Sequence, residues 1–341
     1  MTLARRAKGA FLGSGALALA ACAANRAGPN PEHATIVRTL AAMGAPLTLE
    51  VTAVDRPTAL RASELAYRAI RDTEARLSTW RTDSELARLN RGEPDREQFL
   101  GEDTLEELDR AFGWARQTGG AFHPLSGHWV DLYDLRGAGR WPSPGAHAAA
   151  LAAMPPAETD PAQLVSAGLP DGIRLEEGAF AKGAALDLAL KALAETPGVH
   201  GALLDFGGEL ARFGSARERE VPVAAAEDRG RVAFALQSDA PHVAVTSNAV
   251  RGRTVDGRPL GHVIDPRSGL PVNANFSVTV LAQSGLDADA LSTALFVLGP
   301  EAGLALVESL PGIEALFLSP STARQPAWST SSGLSSALLP Q

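Results

Sequence analysis

The chain contains very little cysteine, because Cys22 is the single one among 341 residues, and this excludes an intrachain disulfide. It also lacks an excess of positive charge, since 31 lysines and arginines stand against 39 aspartates and glutamates and give a formal net charge of −8. No basic stripe with interleaved aromatic residues is visible, and we therefore expect no nucleic-acid partner. With 45% hydrophobic and 21% charged residues, the composition is typical of a globular protein rather than a disordered chain.

The N-terminus lacks an apolar run of the length that a membrane span requires. Residues 10–21 are apolar and follow Arg5, Arg6 and Lys8, but this stretch is too short and too rich in small residues for a stable span. A basic segment, a short apolar segment and then Ala20-Ala21-Cys22 together resemble a bacterial lipoprotein signal. We expect residues 1–21 to be the signal peptide, Cys22 to carry the lipid, and residues 22–34 to form a linker.

This interpretation predicts an exported protein that acyl chains anchor to the membrane on its periplasmic, extracytoplasmic side. The alternative is a plain secretory signal in which Cys22 is an ordinary small residue. Arg5-Arg6 also resembles part of a twin-arginine signal, but the following apolar residues are displaced from the usual spacing, which favours the general secretory route.

Hydrophobic periodicity predicts an α+β fold, since strands outnumber clean β-α-β units, which disfavours a doubly wound α/β fold. The region 133–172, rich in Pro, Gly and Ala, is expected to be irregular with one short helix at most, and the tail 320–341 to be poorly ordered. Helices are predicted over 58–77, 104–117, 184–195 and 287–298, with another beginning at Pro300. Strands are predicted over 47–53, 202–206, 232–237, 243–246, 277–282 and 313–318.

The segment from His262 to Val272 is the most informative part of the sequence. Pro266, Gly269 and Pro271 predict a tight, nearly rigid turn, and His262 and Asp265 stand just before it on a short apolar run that is typical of a strand. Two titratable groups beside a rigid turn suit a site that must hold its geometry. A purely structural hairpin with an exposed histidine is the alternative.

Asp289 and Thr293 have the i, i+4 spacing that places two side chains on one face of a helix. A carboxylate and a hydroxyl are hard oxygen ligands and suit Mg²⁺, which leaves coordination positions for phosphate and water. The alternative is a surface aspartate together with a threonine that bonds to its own backbone.

Seven segments, taken in order, resemble the ApbE family, the FAD:protein FMN transferases, and the resemblance covers roughly residues 35–319. Three of the seven segments are residues 77–90, 178–187 and 262–272. The others are Ala42-Met43-Gly44-Ala45-Pro46, Gly120-Ala121-Phe122-His123-Pro124, Gly207-Gly208-Glu209 and Ala288-Asp289-Ala290-Leu291-Ser292-Thr293-Ala294-Leu295.

The resemblance implies a single ApbE-like, T-fold-related domain with a mixed, mostly antiparallel sheet and packed helices. It also implies an enzyme that binds FAD with its pyrophosphate on Mg²⁺. The FMN half would pass to a Ser or Thr hydroxyl of a target protein bearing a flavinylation-type motif, and AMP would leave. Two other functions fit the same residues: hydrolysis of FAD to FMN and AMP, and an FAD-binding lipoprotein that stores or delivers flavin.

The resemblance also assigns roles to individual residues. His262 is the candidate general base, because the ordinary pKa of imidazole lies near neutral pH. The metal ligands are Asp289, Thr293 and the backbone carbonyl of Ala179, and Lys182 lies by the phosphates or the adenosine. The remaining nucleotide contacts are assigned to Met43, Trp80, Ala121, Phe122, His123, Glu176 and Ile264.

The sequence departs from the pattern of the family in five places. Trp80 replaces Tyr, His123 and Glu176 each replace Asp, Asn248 replaces Gly, and Ala211-Arg212 shifts the usual Arg after Gly-Gly-Asp by one position. The other histidines show no metal-ligand spacing and are expected on the surface or in loops: His33, His128, His147, His200 and His242.

Overall fold

The computed structural model describes residues 33–95, 99–226, 232–248, 252–320, 327–334 and 338–339. The signal peptide predicted at 1–21 lies outside the described residues, as does the predicted linker apart from residues 33–34. Both assignments therefore stay predictions.

The strands of the described residues range from two to nine residues in length. They are β1 (Ala34–Ala42), β2 (Ala45–Ala53), β3 (Val199–Phe206), β4 (Glu209–Gly214), β5 (Val221–Ala224), β6 (Val232–Leu236), β7 (His242–Ser247), β8 (Arg253–Val255), β9 (Arg258–Leu260), β10 (Ile264–Asp265), β11 (Leu270–Pro271), β12 (Ser277–Ala282), β13 (Glu314–Leu318), β14 (Trp328–Thr330) and β15 (Leu338–Leu339). Eight of them form one sheet in the order β1-β2-β3-β4-β7-β12-β13-β14, and every neighbouring pair in it is antiparallel.

The α-helices of the same residues pack on this sheet or connect its strands. They are α1 (Arg56–Leu77), α2 (Glu85–Asn90), α3 (Glu102–Gln117), α4 (Gly127–Leu132), α5 (Pro144–Ala153), α6 (Pro161–Ala167), α7 (Ala181–Ala194) and α8 (Gly285–Val307). The α+β prediction is confirmed, and the large sheet is fully antiparallel rather than mixed.

Apolar side chains on both faces of the sheet form the core. Ile70 of α1 and Phe206 of β3 belong to one buried cluster, and Phe112 of α3 and Leu295 of α8 belong to a second. A third cluster, which includes Leu236, packs the small sheet β5-β6-β15 against the large one. Helices and a second sheet thereby cover the large sheet, an arrangement typical of α+β domains.

Strand β1 was not predicted from the sequence. Among the described strands it forms an edge of the sheet and pairs with β2, and Val37 in its middle is 61% exposed. Its two-residue turn to β2 consists of Met43 and Gly44, both with positive φ of 45° and 68°. Such turns match the twist of a hairpin, which explains the Met-Gly pair as a local structural feature.

Helices α7 and α8 touch backbone to backbone near their N-terminal ends. A Cβ atom added to Gly183 would lie 2.0 Å from the carbonyl oxygen of Gly285. Each helix caps the other: Asp289 accepts a hydrogen bond of 3.2 Å from the Gly183 N–H, and Asp187 accepts one of 2.6 Å from the Gly285 N–H. The two Gly-x-x-x-Asp segments therefore fix the relative position of the helices.

This contact predicts a strong effect of a single methyl group. Replacing Gly183 with alanine should destabilise the protein by about 1–3 kcal/mol, because neither backbone can move away easily. Thermal unfolding of the variant measures the loss. Gly145→Ala is the matched control, since Gly145 lies in exposed α5 with no atom within 4 Å of an added Cβ, and it should be neutral or stabilising. Equal melting temperatures for the two variants would contradict the contact.

Helix α8 is interrupted at Gly299, which has a φ of +78° and precedes Pro300. The predicted end near residue 298 and the predicted restart at Pro300 both correspond to this break. Within the described residues, α8 alone is long and apolar enough by length and composition to cross a membrane. Its buried residues, such as Leu291 and Leu295, belong instead to the core shared with α3 and β12.

The prediction that 133–172 contains at most one short helix is wrong, because α5 and α6 both lie there. Each begins with a clear cap: Ser143 Oγ accepts from the Ala146 N–H at 3.2 Å, and Asp160 Oδ1 accepts from the Ala162 N–H at 2.9 Å. Proline follows each cap at the first helical position. Helix α5 buries no residue, so it has no apolar stripe to indicate it.

Part of the predicted tail is ordered. Within residues 320–341, β14 pairs with β13 in the large sheet. Ser331, with 1% of its surface exposed, donates to Glu314, and Leu334 is 3% exposed. The expectation of poor order over 320–341 is therefore wrong for residues 327–334, where a few buried contacts outweigh a composition rich in serine and alanine.

Candidate active site

A cavity of about 200 Å³ lies between the start of α7, the first turns of α8 and the 262–266 segment. The turn between β3 and β4 contributes Gly207, the start of β4 contributes Glu209, and β7 contributes Val245, Thr246 and Ser247. Ten of the residues predicted to form the site line this cavity: Ala121, Phe122, His123, Glu176, Ala179, Lys182, His262, Ile264, Asp289 and Thr293.

Two predicted nucleotide contacts, Met43 and Trp80, are not among the lining residues. Met43 forms the β1–β2 turn, where its N–H donates to Oε1 of Glu74 at 2.9 Å. Trp80 is 66% exposed and lies beside Arg136, which contacts the cavity-lining Glu176. Trp80 therefore stands at the rim of the cavity, and a contact of Met43 or Trp80 with a flavin ring stays a prediction.

Three charged side chains line the cavity together. Nζ of Lys182 forms an ion pair with Oε1 of Glu209 and lies 3.8 Å from Oδ2 of Asp289. All three side chains are mostly buried, with exposed fractions of 15%, 8% and 6%. Two carboxylates against one ammonium leave local negative charge, and buried charge of one sign favours a bound cation.

The rigid turn predicted after His262 is present. Strands β10 and β11 pair antiparallel, and the Gly269 N–H donates to the Asp265 carbonyl at 2.7 Å. Gly269 has a φ of +68°, and a Cβ there would lie 2.3 Å from the Trp129 ring. The Tyr133 hydroxyl donates to the Gly269 carbonyl at 2.8 Å. Two buried aromatic side chains, those of Trp129 and Tyr133, thus contact the hairpin at Gly269 and hold it in place.

His262 lies in a bend just before β10 rather than in a strand, and it is partly buried. It lines the cavity together with Ile264 and Pro266. The Asp265 carboxylate accepts from the backbone N–H of Arg267 at 3.0 Å and from its guanidinium at 2.9 Å and 3.0 Å. Asp265 is therefore engaged in the turn, whereas His262 lines the cavity.

His123 is held as a neutral side chain. Burial lowers its pKa to about 4, and its ring contacts the Pro156 carbonyl at 3.3 Å and the Leu125 N–H at 3.2 Å. This chain therefore presents an uncharged ring to the cavity at neutral pH.

Glu176 carries an unusual proton affinity. Burial and the neighbouring charge of Glu177 raise its pKa to about 7, although the Arg136 guanidinium opposes both effects. Glu177 in turn accepts two hydrogen bonds from Thr79, one of 3.0 Å from its N–H and one of 2.5 Å from its hydroxyl. The side wall of the cavity is therefore connected to the loop that carries Trp80.

This pKa predicts a pH-dependent effect of Glu176→Gln on stability. Between the ordinary pKa of 4.5 and about 7, the folded protein binds more protons at this group than the unfolded chain. The group's contribution to stability therefore falls as the pH rises through that window and is lowest above pH 7. The melting temperature of the variant, relative to wild type, should rise by a few degrees between about pH 5 and pH 8.

Scanning fluorimetry across this pH range measures the difference. Glu106→Gln, an exposed position on α3, is the control and should show a constant difference. A melting-temperature difference for Glu176→Gln that does not change with pH would contradict the raised pKa.

Sequence reasoning missed Arg136 and Glu177. Arg136 lies in a loop without periodicity, so no local pattern distinguishes it from a solvated arginine. Glu177 directly follows Glu176 and is 8% exposed. The sequence signal that could have indicated a buried carboxylate is the acidic pair Glu176-Glu177, which directly follows the apolar Leu175.

The expectation that His128 and His242 are surface or loop residues is wrong. His128 is 7% exposed, and its Nδ1 donates to the Leu125 carbonyl at 3.0 Å. His242 is 3% exposed, and its Nε2 lies 3.0 Å from Oδ1 of Asp187. Burial would raise the pKa of Asp187, but His242 and the Gly285 N–H hold it below its usual value. In each of these buried histidines one ring nitrogen has a specific partner, the Leu125 carbonyl or the Asp187 carboxylate, which sequence spacing does not reveal.

Comparison with known proteins places this geometry in a family. The model of the ApbE family matches residues 43–317. The FAD:protein FMN transferase of Treponema pallidum (strain Nichols) is 32% identical over 281 residues, which cover 76% of this chain and 77% of that protein. The chain belongs to the ApbE family. An FAD:protein FMN transferase of Klebsiella pneumoniae (strain 342) is 30% identical over 239 residues, with 66% and 67% of the two chains covered.

Solved structures agree with this assignment to the ApbE family. The apo crystal structure of the flavinyl transferase ApbE from Pseudomonas stutzeri matches with a TM-score of 0.70 at 26% identity, covering 88% of this chain and 95% of that one. The ApbE protein of Thermotoga maritima matches with a TM-score of 0.72 at 22% identity, covering 88% and 98%. The second likeness establishes the fold alone.

The donor set of the cavity fits a hard divalent cation. Asp289 and Thr293 both line it from α8, and Ala179 lines it from the segment before α7. Oε2 of Glu209 is buried and has no hydrogen-bond partner among the described residues. In the same part of the chain, no group of three or more His, Cys, Asp and Glu side chains could hold a metal ion by itself. Mg²⁺ commonly binds through one or two carboxylates together with substrate phosphates, which matches this set.

Proposed function

We propose that this ApbE-family protein is a Mg²⁺-dependent FAD:protein FMN transferase. It moves FMN from FAD to a Ser or Thr hydroxyl of a target protein. The observation that carries the proposal is the grouping of Asp289, Thr293, Ala179 and Lys182 in one cavity with His262. The names of the relatives support the same reaction.

The reaction is a phosphoryl transfer with a balanced set of bonds. The target hydroxyl oxygen forms a bond to the phosphorus of the FMN half, and the bond from that phosphorus to the bridging oxygen breaks. AMP leaves with the bridging oxygen. The hydroxyl proton passes to the imidazole of His262, which acts as the general base.

Different residues bind the pyrophosphate and the metal ion. Lys182 supplies positive charge for the pyrophosphate, and Asp289, Thr293 and the carbonyl of Ala179 are the metal ligands. Mg²⁺, when bound, neutralises phosphate charge and stabilises the charge that develops on the leaving oxygen. The hairpin around Gly269 keeps His262 in place while the target hydroxyl approaches.

Location follows from the N-terminal sequence and is part of the proposal. The lipoprotein-like signal before Cys22 supports export and an acyl anchor, so that the target would be an exported redox protein. Mass spectrometry of the mature N-terminus tests this. Diacylglycerol on Cys22 is the expected result, and an unmodified N-terminus at another residue would contradict it.

Product analysis tests the enzymatic proposal. The protein is incubated with FAD, Mg²⁺ and a target domain that carries a flavinylation-type Ser/Thr motif, and nucleotides are separated by chromatography. One AMP released per flavin bound to the target supports the transferase. Equal amounts of free FMN and AMP would indicate a pyrophosphatase, and unchanged FAD that stays bound would indicate a binding protein.

A further inference from the structure

An exposed tryptophan, Trp80, stands at the rim of the cavity, and the side chain of Arg136 packs against its ring. The guanidinium carbon of Arg136 lies 4.5 Å from the centroid of the Trp80 ring. The same guanidinium donates to Glu176, which lines the cavity, and to Oγ1 of Thr79 at 2.5 Å. Arg136 therefore joins the outer aromatic ring to the inner wall.

The loop that carries Trp80 is fixed rather than free. Glu177 accepts from both the backbone N–H and the hydroxyl of Thr79. The Ser84 hydroxyl donates to the Ser78 carbonyl at 2.6 Å on the other side of the loop. An indole that is 66% exposed yet held by a fixed loop is a preorganised stacking surface.

The size of the cavity indicates what this surface receives. Its volume is about 200 Å³, below the roughly 300–1,000 Å³ of pockets that enclose a small ligand. FAD carries a planar ring system on each side of its pyrophosphate. If the pyrophosphate lies by Lys182 and Asp289, the cavity has too little room for both rings, and one of them must lie at the rim.

We propose that Arg136 is a positioning residue that holds Trp80 as the stacking surface for one planar ring of the dinucleotide substrate. The inference rests on the proposed function, since it concerns the same substrate. A guanidinium is planar, so it can lie over an aromatic ring while its N–H groups bond to Glu176 and Thr79. A lysine ammonium carries the same charge but lacks this planar fork.

Binding measurements on the full chain test the proposal. Arg136→Gln and Arg136→Lys should each weaken FAD binding by about five- to tenfold, the scale of one lost ring stack with its cation. In turnover the loss should appear in KM for FAD rather than in kcat. Separate titrations with FMN and with AMP show which of the two rings stacks on Trp80. Each Arg136 variant should bind only one of these two nucleotides more weakly than wild type does.

Arg258→Gln is the matched control. Arg258 lies 3.9 Å from the Trp141 ring in the same kind of stack, but within the described residues it forms no hydrogen bond or ion pair with a residue that lines the cavity, whereas Arg136 contacts Glu176. This variant should bind FAD as wild type does.

Three results would overturn the role of Arg136. They are wild-type affinity in Arg136→Gln, wild-type affinity in Arg136→Lys, and an equal loss for FMN and AMP accompanied by a lowered melting temperature. The proposed function fails by a different result, namely wild-type protein that binds no FAD at all.

Discussion

Replacing Asp289 with asparagine should reduce Mg²⁺-dependent turnover roughly 10²-fold or more, the scale expected when a metal ion stabilises transition-state charge. Asp289 is 4% exposed, lines the cavity and lies in the first turns of α8, where its position is fixed by the contact of that helix with α7. Asparagine keeps an acceptor oxygen for the Gly183 N–H, which Asp289 binds at 3.2 Å. The substitution therefore removes negative charge with little change in packing.

The measurement is initial rate of FAD consumption against Mg²⁺ concentration, with a melting curve to verify folding. Asp287→Asn is the matched control on the same helix, because Asp287 bonds to Trp114 and Arg110 and does not line the cavity. Turnover in Asp289→Asn that keeps the wild-type rate and the wild-type Mg²⁺ dependence would contradict the metal assignment.

Replacing His262 with alanine should slow FMN transfer by about 10²-fold or more while FAD binding is retained, since loss of a general base acts on the chemical step. His262 lines the cavity beside Ile264, and the hairpin that follows it is anchored by its own contacts. The variant should therefore keep its fold. The matched control is His200→Ala, because His200 is an exposed residue that does not line the cavity, with its ring centroid 4.0 Å from that of His33.

Single-turnover rates and FAD titrations separate the two possible roles of His262. A slow rate at saturating FAD with an unchanged dissociation constant is the expected result. Weakened FAD binding with an unchanged rate would instead make His262 a binding residue and would contradict its role as the base.

Much of the site could be predicted because its residues are encoded in short local segments. Asp289 and Thr293 share a helix face at i, i+4, and both line the cavity. The turn after His262 is specified by Pro266 and Gly269, whose conformations need few partners. Such patterns can be recognised in the sequence because the local conformation depends mainly on residues that are close together in the chain.

Other features depend on contacts between distant parts of the chain, which no local pattern reveals. Arg136 reaches Thr79 and Glu176, 57 and 40 residues away in sequence. Asn248 donates to the Val272 carbonyl at 2.7 Å and so connects the end of β7 to the residue that follows β11. His242 is buried because Asp187 lies across from it.

The secondary structure shows the same difference between features that a local sequence pattern predicts and features that it does not. Helix α1 was predicted closely, since it combines a 3.6-residue apolar period with an Asp55 cap that accepts from the Thr58 N–H at 2.7 Å. Strand β1 was missed because an edge strand needs one buried face at most, and α5 was missed because it buries nothing. Elements that contribute little to the core leave little trace in the sequence.

The intact mass of a target domain after incubation with this protein, FAD and Mg²⁺ tests the central claim most directly. The account predicts a mass increase of one FMN less one water, located on a Ser or Thr by fragmentation, and no increase with Asp289→Asn or without Mg²⁺. A target of unchanged mass, with the FAD converted to free FMN and AMP, would contradict transfer to protein.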